Sequence, residues 1–314
     1  LLGVKQGDEI IMPSYTFVST ANAFVLRDAK PIFVDIRQDT LNINENFIEN
    51  AISAKTKAIV VVHYAGVSCN MNKIKKISLK YKIPIIEDAA QGYLSKFDNN
   101  FLGSIGDIGC FSFHETKNIA CGEGGALLIN NKEYLSRANL IINKGTNVDD
   151  FKKGLVDKYE WIDIGSSFLI SEITSAYLLG QLESSKLITA KRKNIWEFYD
   201  SNLRDSLISY KIQFPLIPEN CSQNYHIYYL ILEKESIREE FIKKMINFGI
   251  TCTSHYSPLH SSKFANKLEN NYILPVTENL SKRIVRLPLY ASLKKVEVQY
   301  IVSKVIETLK MIYS

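Results

Sequence analysis

Several things are scarce or missing in this 314-residue chain, and each absence removes a class of function. No apolar run approaches the length of a membrane span, and no signal peptide is visible. The five cysteines, Cys69, Cys110, Cys121, Cys221 and Cys252, follow neither metal-ligand nor disulfide spacing, which points to a reduced, cytoplasmic protein. Net charge is +5 but spread without a basic block, so nucleic-acid binding is disfavoured while small anionic substrates fit. Internal repeats and low-complexity tracts are absent. No Gly-x-Gly-x-x-Gly follows the first strand, which sets aside a dinucleotide-dependent dehydrogenase.

What remains is a well-mixed composition, 46% hydrophobic with a mean hydropathy of −0.06, and length enough for one large domain and a smaller one. Strand-like runs over 10–12, 29–35, 58–63 and 83–87 alternate with helical patterns over 16–27, 46–52 and 71–81. The unbroken apolar run over 58–63 fits a strand buried on both faces of a parallel sheet. Such alternation predicts an α/β layer with right-handed crossovers. Past residue 129 the spacing predicts a helix over 132–143, a polar loop over 145–161 and a long helix over 171–203, broken near Ser184. A strand over 227–232, a helix over 236–248, a strand over 250–256 and helices over 277–286 and 296–312 complete an α+β remainder. The expected division is a large domain over 1–203 and a small domain over 204–314.

Within this frame one stretch holds an unusual loop. An apolar run over 108–113 breaks into His114-Glu115-Thr116-Lys117-Asn118, then Gly122-Glu123-Gly124-Gly125, and a second strand-like run follows at 126–129. A loop lysine is ordinarily solvated. At the end of a buried strand, desolvation lowers its pKa towards a nucleophilic free amine. Ile86-Glu87-Asp88-Ala89-Ala90-Gln91 closes another buried strand, so Asp88 falls at a carboxyl end, where open α/β sheets bind ligands. Taken alone, Asp88 reads first as a helix N-cap. Ser112 adds a hydroxyl five residues before Lys117. A buried carboxylate, a nucleophilic lysine and anion-binding hydroxyls are together what pyridoxal phosphate requires.

The run Pro13-Ser14-Tyr15-Thr16-Phe17, the Glu87–Gln91 segment and the Phe-Ser-Phe-His-Glu-Thr-Lys-Asn loop with its Gly-Glu-Gly-Gly resemble the DegT-type sugar aminotransferases. The resemblance covers essentially the whole chain. It implies a fold-type I pyridoxal phosphate enzyme: a large α/β domain with a mostly parallel sheet flanked by helices, plus a smaller α+β C-terminal domain. It also implies that Lys117 carries pyridoxal 5'-phosphate as a Schiff base and shuttles the proton. Asp88 pairs with the ring nitrogen, Gln91 lies near the ring's phenolic oxygen and Ser112 binds the phosphate. Lysine rather than histidine at position 117 separates the chain from the family's dehydratases.

Further segments are similar to one subgroup: Val62-His63-Tyr64-Ala65-Gly66, Lys144-Gly145-Thr146-Asn147, Asp163-Ile164-Gly165-Ser166-Ser167 and His255-Tyr256-Ser257-Pro258-Leu259-His260. That subgroup uses L-glutamate to aminate C4 of dTDP-4-dehydro-6-deoxyglucose for surface polysaccharides. The resemblance implies a homodimer with the active site at its interface and neither membrane nor nucleic-acid partners. His63, Tyr64, His255 and Tyr256 become substrate-side candidates, and His226 a weaker one. Relatives carry Gly-x-Asn-x-Arg where this chain has Gly165-Ser166-Ser167-Phe168-Leu169. Ser167 keeps a hydroxyl to donate to the partner subunit's phosphate site. The first residue is Leu1 rather than methionine, and the family's phosphate-cradling segment precedes that position, so a chain short of its N-terminus is expected.

Overall fold

The computed structural model describes residues 1–268 and 272–313. The first strands are short runs of Ile, Val and Met: β1 (Glu9–Pro13), β2 (Lys30–Val34), β3 (Thr56–Val62) and β4 (Ile85–Asp88). Between them lie α1 (Val18–Val25) and α2 (Met71–Tyr81). α2 follows the expected span because Asn70 caps its start, accepting from the Lys73 amide at 3.3 Å, while Met71, Ile74 and Ile77 bury one face. The helical pattern over 46–52 yields only a single 3-10 turn, Glu49–Ala51.

A small hairpin, β5 (Lys96–Phe97) with β6 (Asn100–Phe101), precedes β7 (Ile108–Ser112) and β8 (Gly125–Ile129). The main sheet has the order β2-β1-β3-β4-β7-β8, parallel throughout except for β8, which runs antiparallel to β7 at one edge. Residues 58–62 are buried on both faces, as their unbroken apolar run requires. Register aligns Val62 with Asp88 and Asp88 with Cys110, so the carboxyl ends of β3, β4 and β7 emerge along one line.

Beyond the sheet come α3 (Leu135–Ile142), α4 (Val148–Lys152), α5 (Glu172–Glu183) and α6 (Ser185–Ser206), with the helix break at Ser184. Then follow β9 (Cys221–Ser222), β10 (Tyr228–Ile231), α7 (Glu235–Asn247), α8 (Pro275–Arg283), β11 (Ile284–Leu287) and α9 (Lys295–Tyr313). β10 and β11 form an antiparallel pair. One apolar core lies against the sheet around Ile59, Val61, Ile74 and Ile85. A second gathers Trp196, Tyr199 and Leu203 of α6 with Phe241, Val285 and Val305. The α/β layer that the alternation predicts, and the fold-type I arrangement of mostly parallel sheet with flanking helices that the resemblance implies, are what the chain adopts.

Two local expectations need correction. Residues 250–256 make only an isolated bridge, Thr253 to Arg286, rather than a strand; Ile250 and Cys252 pack into the second core, while His255 and Tyr256 turn to the cleft. The helix expected over 277–286 ends at Arg283, and Ile284–Leu287 turns into β11, whose backbone is taken by Tyr228–Ile231. Among the described residues no helix is long and apolar enough to cross a membrane.

Candidate active site

The line of strand ends is where the chemistry-bearing side chains converge. Asp88 closes β4, half-buried. Its Oδ2 accepts a 2.6 Å hydrogen bond from Thr20 Oγ1, and its Oδ1 accepts from the Ala90 amide at 3.1 Å. Thr20 is paired with Thr16, hydroxyl to hydroxyl, at 2.7 Å. A short chain of hydroxyls therefore runs from the loop after β1, through α1, to the carboxylate.

Lys117 hangs from the loop between β7 and β8. That loop is closed by three backbone bonds: Phe113 amide to Gly124, Glu115 amide to Gly122 and Cys121 amide to Phe113. Gly122 adopts φ of +83°, a conformation that disfavours any side chain. At Gly125 an added Cβ would sit 2.8 Å from the Phe111 carbonyl oxygen, so the return strand needs glycine there. Lys117 is half-buried, and among the described residues its ammonium makes no hydrogen bond or ion pair. Burial lowers its pKa; the Asp88 carboxylate opposes this and the Arg286 guanidinium reinforces it. Ser112, the last residue of β7, accepts a 3.3 Å bond from the His114 amide and keeps its own proton to donate.

The next residue, Asn118, fastens this loop to the far side of the cleft. Its amide donates to the Asn224 carbonyl at 2.8 Å, and its oxygen accepts from His226 Nδ1 at 2.9 Å. Burial first, then the positive charges of Arg192, Lys117 and Arg286, holds His226 neutral. His226 thus supports the lysine loop, a role its lone place in the sequence could not reveal.

Gln91 is buried with both ends of its amide engaged: Oε1 accepts from the Ala65 amide at 2.7 Å and Nε2 donates to Tyr256 OH at 2.8 Å. Tyr64 OH and His255 Nδ1 share a 3.0 Å hydrogen bond, and Tyr15 OH donates to the His255 carbonyl. His255 stacks on Tyr256 with ring centroids 3.7 Å apart. Burial, followed by Arg286 and Lys117, pushes His255 down to about 2, so it is neutral. Burial and the Asp88 charge push Tyr256 up to about 12. The wall formed by Tyr64, His255 and Tyr256 is therefore uncharged and aromatic.

His63 lies elsewhere. It is fully buried; its Nε2 donates to Glu87 at 2.9 Å while its Nδ1 accepts from the Cys69 amide. Glu87 also accepts from the amides of Gly103, Ile105 and Gly106, which makes the pair a brace beneath β4 rather than part of the cleft wall. Ser167 is exposed on the loop after α4, bridged by its backbone to Asn143, and no contact within this chain links it to Lys117 or Asp88.

Two residues close to the cluster escape sequence reasoning. Thr20 reads as one of the small residues on a helix face. Arg286 falls in a run taken for a helix, where the signal was a single cation inside the apolar Ile-Val-Arg-Leu. Its Nε is buried without a hydrogen-bond partner. Among the described residues no group of three or more His, Cys, Asp and Glu is arranged to hold a metal.

The model of the DegT/DnrJ/EryC1/StrS aminotransferase family matches residues 1–306. The uncharacterized protein MJ1066 of Methanocaldococcus jannaschii is 33% identical, aligned over 97% of this chain and 80% of its own length. Among solved structures, PseC of Helicobacter pylori, an aminotransferase involved in the biosynthesis of pseudoaminic acid, superposes with a TM-score of 0.89 at 28% identity, covering 98% of this chain and 81% of PseC. The putative sugar aminotransferase Spr1654 of Streptococcus pneumoniae, in its PMP form, gives a TM-score of 0.90 at 25% identity over 99% of this chain and 84% of its own.

Proposed function

The chain belongs to the DegT/DnrJ/EryC1/StrS aminotransferase family, whose members depend on pyridoxal phosphate, and from that premise we propose that it moves the amino group of L-glutamate onto C4 of a nucleotide-linked keto-sugar. The acceptor we assign is dTDP-4-dehydro-6-deoxy-D-glucose and the product dTDP-4-amino-4,6-dideoxy-D-galactose, made in the cytoplasm for a surface polysaccharide. This assignment rests on the similarity of the 62–66, 144–147, 163–167 and 255–260 segments to dTDP-4-amino-4,6-dideoxygalactose transaminase.

The observation that carries the reading is an amine without partners, its pKa lowered by burial, in the field of a carboxylate that two donors hold in place. The donor set fits pyridoxal phosphate: an amine for the aldehyde carbon, a carboxylate for the ring nitrogen and a free hydroxyl for the phosphate. Lys117, Asp88 and Ser112 would hold it in those roles, with Gln91 beside the ring oxygen. When bound, the cofactor supplies an electron sink for the carbanion formed at the donor's α-carbon.

The chain's own residues do the rest. Lys117 Nζ would take the donor's α-proton as a general base and give it back as a general acid on the same face. Asp88 would keep the ring nitrogen protonated, with Thr20 fixing the carboxylate's orientation. The loop bonds of Asn118 hold Lys117 against the cleft. Tyr64, Tyr256 and His255 form a dry wall that excludes water from the reacting carbons.

A homodimer is part of the proposal. Trp161, Ile162, Ile164, Phe168, Leu169 and Ile173 are all exposed on consecutive segments, Trp161 and Ile173 by more than 80%. Exposed apolar side chains at this density support a partner surface, and Ser167 lies among them.

The test is product analysis by mass spectrometry and NMR after incubation with pyridoxal phosphate, L-glutamate and dTDP-4-dehydro-6-deoxyglucose. A 4-amino sugar nucleotide of galacto configuration is expected. Unchanged keto-sugar, with 2-oxoglutarate also absent, would contradict it.

A further inference from the structure

The turn Leu259–Ser261 brings a histidine onto the end of β1, 246 residues away in sequence. Ser14, the residue after β1, is fully buried there. Its carbonyl accepts from the Leu259 amide at 3.0 Å, and its Oγ accepts from the His260 amide at 3.0 Å. The same Oγ lies 2.7 Å from His260 Nδ1. On the other side of the ring, Nε2 is 3.2 Å from Glu278 Oε1 on α8. The Glu278 carboxylate can only accept, so Nε2 carries the proton and Nδ1 accepts from the Ser14 hydroxyl.

Both ends of this clamp are fixed. Glu278 Oε1 also accepts from the Leu274 amide at 3.2 Å. The start of α8 is tied to Asp35, after β2, whose Oδ1 accepts from the Thr277 amide at 2.8 Å and the Thr277 hydroxyl at 2.6 Å. At the other end Ser14 leads directly into Tyr15, whose hydroxyl donates to the His255 carbonyl. Four residues before His260 stands Tyr256, which accepts from Gln91 Nε2 at 2.8 Å and stacks with His255. The clamp therefore closes both ends of the 255–260 segment onto the large sheet.

A buried polar network with every member paired specifies one arrangement, whereas apolar side chains of the same shape would serve stability as well. What is specified here is the seat of the aromatic wall. Asp88 is held instead by Thr20 and the Ala90 amide, and the Lys117 loop by Asn118, and none of these bonds includes His260. A nucleotide-linked sugar is much larger than glutamate, so its binding is the more sensitive to where that wall stands.

We propose that Ser14, His260 and Glu278 are positioning residues that hold the His255–Tyr256 wall in register for the acceptor sugar nucleotide and leave the reaction with the amino donor nearly untouched. The identity of the acceptor rests on the aminotransferase reading; the clamp itself does not.

The experiment compares wild type, Glu278→Leu, Glu278→Gln, Ser14→Ala and the Ser14→Ala/Glu278→Leu pair, with melting temperatures recorded for each. Steady-state constants for the acceptor are measured, and the reaction of glutamate with the pyridoxal phosphate-loaded chain is timed separately. In Glu278→Leu the KM for the acceptor is expected to rise about tenfold, while kcat and the glutamate rate stay within about twofold of wild type. Glu278→Gln keeps an acceptor oxygen and is expected to stay near wild type. Ser14 and Glu278 act through one ring, so the pair is expected to lose no more than the larger single loss. Single losses that multiply in the pair, or an equal loss in the glutamate step, overturn the proposal. Hydrogen exchange is followed alongside and needs no turnover. It is expected to quicken over residues 255–260 in Glu278→Leu and to return to the wild-type rate in Glu278→Gln. Unchanged exchange overturns the clamp, as does faster exchange throughout the chain with a lowered melting temperature. A wild-type chain that leaves the sugar unreacted counts against the acceptor, and exchange then decides the clamp.

Discussion

Thr20 and Asp88 are 68 residues apart in sequence and joined by a 2.6 Å hydrogen bond, hydroxyl to carboxylate, at the carboxyl edge of the sheet. This bond makes α1 a support for the carboxylate proposed to face the ring nitrogen. Thr16 continues the support to the loop after β1.

Replacing Thr20 with valine preserves shape but removes that donor. Catalytic turnover is expected to fall about tenfold, as for loss of a hydrogen bond to a charged group. Thr20→Ser is expected to stay near wild type. Steady-state rates for the two variants, with melting curves to confirm folding, check this.

The lowered pKa of Lys117 has a signed consequence for stability. The folded chain releases this proton at lower pH than the unfolded chain does. The buried cation therefore destabilises the fold below the folded pKa, and stability returns as pH rises towards the ordinary lysine value of 10.5. Lys117→Met is expected to melt no lower than wild type at neutral pH and to lose the alkaline gain. Melting temperature followed from neutral to alkaline pH tests this; a lower melting temperature for the variant at neutral pH would contradict it.

At the His63–Glu87 brace stability also rises with pH, but here the charged form is the one the fold favours. Burial works against ionisation of Glu87, yet the His63 bond and the amides of Gly106 and Gly103 hold its carboxyl below the usual range. That contribution is present above the unfolded value of 4.5 and is lost as pH falls through the folded pKa. Glu87→Ala leaves four buried donors without an acceptor and is expected to cost at least about 3 kcal/mol. Glu87→Gln is expected to flatten the acid limb of stability. Urea unfolding at neutral and acidic pH measures both.

Two glycines should behave in opposite ways. An added Cβ at Gly109 in β7 would lie 2.0 Å from the Gly103 carbonyl oxygen, and neither backbone can move without disturbing the loop that feeds Glu87. Gly109→Ala is expected to cost about 3 kcal/mol or to prevent folding. At Gly180 in α5 nothing lies within 4 Å, so Gly180→Ala is expected to stabilise by up to about 1 kcal/mol through helix propensity. Denaturant midpoints for the pair decide.

Much of this was legible in the residues. α2 was, because its cap and its apolar spacing agree, and so was the sheet, because runs such as Ile59-Val60-Val61-Val62 suit only a doubly buried strand. Asp88 and Lys117 stand out because each lies in a polar segment just past the end of an apolar, strand-like run. The invisible part is tertiary pairing. Nothing in sequence ties Thr20 to Asp88, Asn118 to His226, or Arg286 to its cross-strand partner Tyr229. His63 shows the converse: a histidine at a strand end looks like a pocket residue until its partner Glu87 is seen beneath it. The short strand β11 was hidden by helical spacing that runs into it from α8.

Lys117 is the residue through which the chain is proposed to hold its cofactor and react with an amino donor. The most direct measurement is the visible absorption spectrum of wild type and Lys117→Ala with pyridoxal phosphate, before and after L-glutamate. A protein-bound band that glutamate bleaches and dTDP-4-dehydro-6-deoxyglucose restores is expected in wild type, and no such band in Lys117→Ala. The same band in Lys117→Ala, or a wild-type band indifferent to glutamate, would contradict it.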